Sequence, residues 1–236
     1  MIELNLEGPN LNALGTPLMT RLRDGLAAAA GAPLLLRGVG RAFSAGLDLQ
    51  ELITLDRAGM RAFLTLLAEL CLDLYTYPGP TVALVNGHAI AGGCILALCC
   101  DARVADPDPR LRIGLNEVAL GVRFPAGILE IVRRRVAAHR LDEIILGAQL
   151  YTAADAIALG MIDALGDESA ARARLEALAR APAAAYAAAK HDLRGDVRAR
   201  ARADLPRFLD EGVDLWTAPD LRARVAAVLG KRGGAT

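Results

Sequence analysis

AFSAGLDL (Ala42–Leu49) and NGHAIAGGCILALCCD (Asn86–Asp101) are the two stretches on which the reading of this chain turns. Each follows an apolar run that reads as a buried strand, PLLLRG (Pro33–Gly38) before the first and TVALVN (Thr81–Asn86) opening the second. The first passes through glycine-rich GVGRAFSAG and then enters a helix, because Asp48 with Glu51 three residues on has capping-box spacing. In the second, the Gly92–Gly93 pair precedes CILALCC, an apolar run expected to be a buried helix. A helix that opens on glycines leaves bare N–H groups and the positive end of its dipole exposed, which favours an anion there. Two such donors converging on one oxygen make a cradle for charge that develops during reaction. Downstream, IGLNEVALG (Ile113–Gly121) supplies Glu117, the candidate proton carrier.

Composition sets outer limits. With 236 residues, 54% hydrophobic and 23% charged, the chain can build one sizeable core. Lys+Arg and Asp+Glu both number 27, so no net field draws it to nucleic acid or to an anionic membrane. No apolar run reaches a membrane span, since Asp101 and Arg103 interrupt the longest. The opening MIELNLEGPN lacks a basic segment followed by an apolar one, so no secretory signal is expected and a cytoplasmic location is. Cys71, Cys94, Cys99 and Cys100 lack metal-site spacing and read as buried free thiols.

Farther along, Met60, Phe63, Leu64, Leu67, Leu70 and Leu74 recur at helical spacing between Asp56 and Tyr77, and Pro78 ends that helix. ARVAD (Ala102–Asp106) and RLRIG (Arg110–Gly114) read as strands across a DPDP turn. Thr152 with Asp155 starts a helix that Gly160 stops. From Glu168 onward Ala, Leu and Arg dominate without a strand signal. That divides the chain into an α/β part, 1–167, bearing the site and a helical part, 168–236.

The two glycine segments, in this order and with a glutamate after them, resemble the oxyanion-hole signatures of the crotonase superfamily, the enoyl-CoA hydratases and isomerases. The resemblance runs from NAL (Asn12–Leu14) to FLDEGVDLWTAPDLRARVAAVL (Phe208–Leu229). It implies an α/β crotonase (ClpP-like) spiral of ββα turns with a C-terminal helical trimerisation region, hence a homotrimer or a dimer of trimers. It also implies an oxyanion hole from the N–H groups of Leu47 and Gly92. An acyl-CoA thioester substrate would then be held by Ala45, Gly46, Leu47, Asp48 and Leu49, with Gly92 and Asn116 beside the acyl group. No cofactor is implied, because coenzyme A is part of the substrate, and no metal is required.

Hydratases of the family carry a second glutamate on the first turn after the glycine pair, and this chain has Ile95 there. Hydration asks a site to position and deprotonate water and also to protonate carbon, a task for paired carboxylates. Shifting a double bond from carbon 3 to carbon 2 needs one base that lifts a proton from carbon 2 and returns it at carbon 4. An aliphatic Ile95 should also push the Glu117 acidity upward by desolvation. The phrase GLNE resembles the single-glutamate 3,2-enoyl-CoA isomerase branch. Isomerisation is therefore the first expectation. Hydratase, hydrolase or decarboxylase chemistry and a non-catalytic acyl-CoA-binding subunit remain alternatives.

Other residues carry plainer expectations. Asp48 reads as a helix cap, His88 as a spacer, and His139 and His191 as solvated. Arg133, Arg134 and Arg135 read as solvated or subunit-facing, Trp216 and Phe208 as packing residues of the tail. The resemblance would let Lys231 reach a coenzyme A phosphate.

Overall fold

A computed structural model describes residues 1–125 and 127–233. In chain order the elements are β1 (Ile2–Leu6), α1 (Pro9–Asn12), α2 (Thr16–Ala29), β2 (Leu34–Gly38), β3 (Ala42–Ser44), α3 (Leu49–Leu52), α4 (Arg57–Tyr75), β4 (Thr81–Val85), β5 (His88–Ile90), α5 (Gly92–Cys99), β6 (Ala102–Ala105), β7 (Ile113–Gly114), α6 (Glu117–Leu120), α7 (Ile128–Arg135), α8 (Leu141–Gly147), α9 (Ala153–Ala158), β8 (Ala164–Leu165), α10 (Glu168–Ala179), α11 (Ala183–Thr217) and α12 (Pro219–Gly233).

The strands form two parallel sheets, one ordered β1-β2-β4-β6-β8 and the other β3-β5-β7. Each turn of the chain lays one strand in the larger sheet and the next in the smaller, then crosses over through helix: β2, β3, α3–α4; β4, β5, α5; β6, β7, α6. This is the spiral of ββα turns. Strand β4 shows why the larger sheet reads as continuous apolar sequence, for every residue of TVALV is buried. A parallel sheet covered on both faces has no polar side. One face packs in the main core with α2, α4 and α5, while Leu35, Val82, Leu84 and Val104 on the other meet Ala171 and Leu175 of α10.

The expected helix between Asp56 and Tyr77 is α4, with the Asp56 carboxylate accepting from Gly59 N at 2.7 Å. Three local expectations change. GVGRAFSAG contains β3, visible only through its pairing with β5. The strand expected over Arg110–Gly114 shrinks to Ile113–Gly114, because the Asp108 carboxylate takes the backbone N–H of Arg110 and the Asp108 carbonyl that of Leu111. Glu51 does not close a capping box on Asp48. Its carboxylate accepts from Thr16 N at 2.8 Å and from the Thr16 hydroxyl, tying α3 to the start of α2, while Asp48 alone caps α3.

The long helix α11 is held by a buried ionic node. Asp101, at the end of α5, accepts from Lys190 Nζ at 2.6 Å, from the Tyr186 hydroxyl at 2.8 Å and from Thr81 N at 2.8 Å, with the Arg194 guanidinium 2.9 Å away. The Arg194 guanidinium also stacks on Tyr75 at 4.6 Å and donates to its carbonyl. Arg135 departs from its solvated reading: half-buried, it donates to the carbonyls of Leu98, Cys100 and Asp101, satisfying the C-terminal end of α5. Arg133 and Arg134 stay on the surface beside Glu130, Arg134 also pairing with Asp196. All four cysteines are free and buried.

Candidate active site

The first wall of the site is set by Asn12, which is buried behind a run of left-handed residues, Asn10 to Asn12. Its amide donates to the carbonyls of Val39 at 2.9 Å and Ala42 at 2.8 Å, and its own carbonyl accepts from the Ser44 hydroxyl at 2.8 Å. Two residues on, Leu14 pairs with the loop after β3: Leu14 N donates to Gly46 O at 2.7 Å, and Asp48 N donates to Leu14 O at 3.2 Å. In extended chain the N–H and C=O groups of successive residues face opposite sides. With Gly46 O and Asp48 N both turned to Leu14, the N–H of Leu47 is turned the other way, and among the described residues it donates to no protein acceptor.

Helix α5 supplies the second donor. Ala91, at φ 49° and ψ −120°, turns the chain sharply out of β5, so that Gly92 N, like Leu47 N, has no protein acceptor among the described residues. Glycine is needed where these segments meet. A Cβ on Gly46, whose φ is +90°, would stand 2.9 Å from Ile90 O and 3.5 Å from Gly92 N. One on Gly93 would stand 2.4 Å from Ser44 O. The two bare amides therefore sit on backbones in direct contact.

Glu117 opens α6, fed by β7, and β7 is tied to the same place by the bond from Ala91 N to Gly114 O at 2.8 Å. Only 8% of Glu117 is exposed, and both carboxyl oxygens are shut from solvent with no hydrogen bond from another residue among those described. Burial pushes its pKa from an ordinary 4.5 up to about 7. Ile95, 2% exposed, lines the same space, and desolvation acts in the expected direction.

A chamber of about 180 Å³ joins these parts. Its wall includes Ala45, Leu47, Leu49, Gly92, Asn116 and Glu117 from the expected set. Gly46 and Asp48 are not part of that wall: Gly46 provides the turn, and the Asp48 side chain accepts from Gln50 N at 3.0 Å and Glu51 N at 3.4 Å as the cap of α3. Leu67, Leu120, Val122, Pro125, Trp216 and Val228 also line the chamber. Trp216 thus departs from its reading as tail packing alone. The available signal was that it is the chain's single tryptophan. Phe208 does pack in the tail, with the Arg123 guanidinium 5.7 Å above its ring. Helix α12 roofs the site through two arginines, Arg222 donating to Leu55 O at 2.8 Å and Arg224 to Leu120 O at 3.0 Å. The side chain of Lys231 lies outside the described residues.

His88 lies away from the chamber, its Nδ1 accepting from Arg112 N at 3.1 Å. His139 and His191 are exposed. No group of three or more His, Cys, Asp and Glu side chains among the described residues could hold a metal ion, and no described helix is long and apolar enough to cross a membrane.

Comparison with known proteins agrees with this architecture. Human mitochondrial delta3-delta2-enoyl-CoA isomerase superposes with a TM-score of 0.91 over 98% of this chain and 93% of that one, at 24% identity, a likeness of fold. The enoyl-CoA hydratase of Bacillus halodurans superposes with a TM-score of 0.84 over 95% of both chains, at 25% identity. In sequence, the mitochondrial enoyl-CoA delta isomerase 1 of Mus musculus is 36% identical over 121 residues, which is 51% of this chain and 42% of the relative. The chain spans about half the length of the curated relatives it matches. Residues 1–210 match the profile of the enoyl-CoA hydratase/isomerase family, and with the spiral fold in place the chain belongs to that family.

Proposed function

We propose that this protein is a 3,2-enoyl-CoA isomerase in which Glu117 is the single proton shuttle. One observation carries the reading. A lone carboxyl, closed to water and unpaired, lines a mostly apolar chamber with two bare main-chain amides and Asn116, with Ile95 in place of a second acid. A thioester carbonyl held by the N–H groups of Leu47 and Gly92 acidifies the carbon next to it. The Glu117 carboxylate takes a proton from carbon 2. The electron pair moves onto the thioester oxygen, giving a dienolate whose charge the two amides hold. Glu117 then returns the proton at carbon 4, the double bond settles between carbons 2 and 3, and the carboxylate is regenerated. A base that must accept and release one proton near neutrality works best with a pKa near 7, where burial puts Glu117.

The energetic shares are comparable. One oxyanion-hole donor is worth about 3–4 kcal/mol of transition-state stabilisation, and a general base roughly 100- to 10,000-fold in rate. Coenzyme A enters as part of the substrate, and no step calls for a metal. A homotrimer or dimer of trimers in the cytoplasm completes the proposal. Leu146, 67% exposed, and the neighbouring Leu150 and Ile157 give α8, α9 and their connection an apolar surface suited to contact between copies.

The test offers purified protein 3-hexenoyl-CoA and 2-hexenoyl-CoA separately. Conversion of the first to the 2-enoyl product without hydration of the second supports isomerisation. Hydration of the second makes the protein a hydratase, and acyl-CoA binding without turnover makes it a binding subunit. Glu117→Gln is expected to lower kcat by roughly 100- to 10,000-fold while acyl-CoA binding persists. Unchanged kcat removes Glu117 from its role.

A further inference from the structure

The chamber has an inner and an outer end, and burial tells them apart. Leu47 on the loop after β3, Leu49 at the start of α3, Leu120 of α6 and Val228 of the roof helix α12 are only half-buried, whereas Leu67, Ile95, Val122, Pro125 and Trp216 are buried. A thioester whose carbonyl rests on Leu47 N and Gly92 N therefore runs its tail from Glu117 toward Leu67 and Trp216, elements of α4 and α11 locked together by the Asp101 node. The volume of about 180 Å³ is close to the roughly 150 Å³ that accepts one benzene. Next to the chamber, sharing Val122 and Pro125, lies a more open cavity of about 340 Å³, walled by Phe124, Leu129 and Phe208 together with the exposed Val118, Arg123, Asp204 and Arg207. Val122 and Pro125 thus part the buried apolar end of the chamber from a charged, solvent-facing groove.

We infer that the site selects short-chain acyl thioesters, of about six carbons, with Trp216 as the end wall and Val122 as the partition that excludes longer tails. This rests on reading the chamber as an acyl-thioester site, but not on the reaction carried out there. Trp216 and Val122 carry no acid or base but line the same chamber as Glu117, so the inference is read from which thioester binds and not from turnover.

The experiment measures Kd for saturated butanoyl-, hexanoyl-, octanoyl-, dodecanoyl- and hexadecanoyl-CoA by calorimetry, which requires no turnover. An open-ended apolar channel gains about fourfold in affinity per added methylene. The expected series tightens from butanoyl to hexanoyl and then reverses, with dodecanoyl-CoA at least tenfold weaker than hexanoyl-CoA. Val122→Ala and Trp216→Leu each raise the affinity for dodecanoyl relative to hexanoyl by tenfold or more. Val122→Ala is the milder variant and keeps the test alive if the Trp216 substitution fails to fold. Continued tightening through hexadecanoyl-CoA in the native protein overturns the inference, as does an unchanged ratio in the folded variants or no binding of any thioester. A hexanoyl preference without isomerisation sinks the proposed reaction and leaves this inference standing; isomerisation with a long-chain preference does the reverse.

Discussion

Glu117 is a buried acid without a partner, and its ionisation opposes folding. Its pKa rises from 4.5 when solvated to about 7 in the folded chain, so between those values the folded state holds a proton that the unfolded state has released. The stabilising contribution is complete below pH 4.5, declines as pH rises and is lost above 7, a swing of roughly 3 kcal/mol. Glu117→Gln, neutral throughout, is expected to gain that amount on the native protein between pH 4 and pH 8, read as the change in unfolding free energy from urea titrations at both. A constant difference between the two proteins across this range would show that the carboxyl is not desolvated. In the active protein the same titration predicts a kcat/KM that falls as pH drops below about 7. Glu117, Ile95 and the two glycine segments were legible in the sequence because their chemistry depends on residue type at fixed spacing. Trp216 was not, since it reaches the chamber only through the packing of α11 against a helix far away along the chain.

Among elements, α5 carries the tightest constraint. It lies on β3 so closely that Gly93 has no room for a side chain, the obstacle being Ser44 backbone rather than a side chain that could yield. Gly93→Ala is expected to destabilise the fold by about 1–3 kcal/mol and to lower kcat more than it raises KM, because moving α5 spoils a cradle used chiefly in the transition state. Urea unfolding and steady-state kinetics check both halves; wild-type stability would refute the close approach. Strands β2, β4 and β6 could be read as sequence, since β4 and β6 are uninterrupted buried runs and β2 departs from one only at the half-buried Arg37. Of the smaller sheet only β7 was legible, inside a longer expected strand. The strands of that sheet have three, three and two residues, too short for a pattern to fix their bounds, and pair with one another as β3-β5-β7.

At the scale of the whole molecule, the Asp101 node fastens the long helix to the spiral. Its side chain is 7% exposed, as against 5% for Lys190 and 10% for Arg194, so removing the carboxylate leaves two cations buried without their counter-ion. Asp101→Ala is expected to cost about 3–5 kcal/mol in urea-monitored unfolding, well beyond a surface ion pair. A loss under 1 kcal/mol would mean that α11 is held by apolar contact alone. The division at 168 drawn from composition separates α10 from a sheet whose outer face it covers, which composition has no means of registering.

Helix α12 roofs the chamber through the grip of Arg222 and Arg224 on two main-chain carbonyls and the burial of Leu221 and Val225. Cut at Ala218, the protein would keep both sheets yet become an uncovered trough. Water would wet the carboxyl, and what had been a reagent tuned to neutrality would turn back into a common acid.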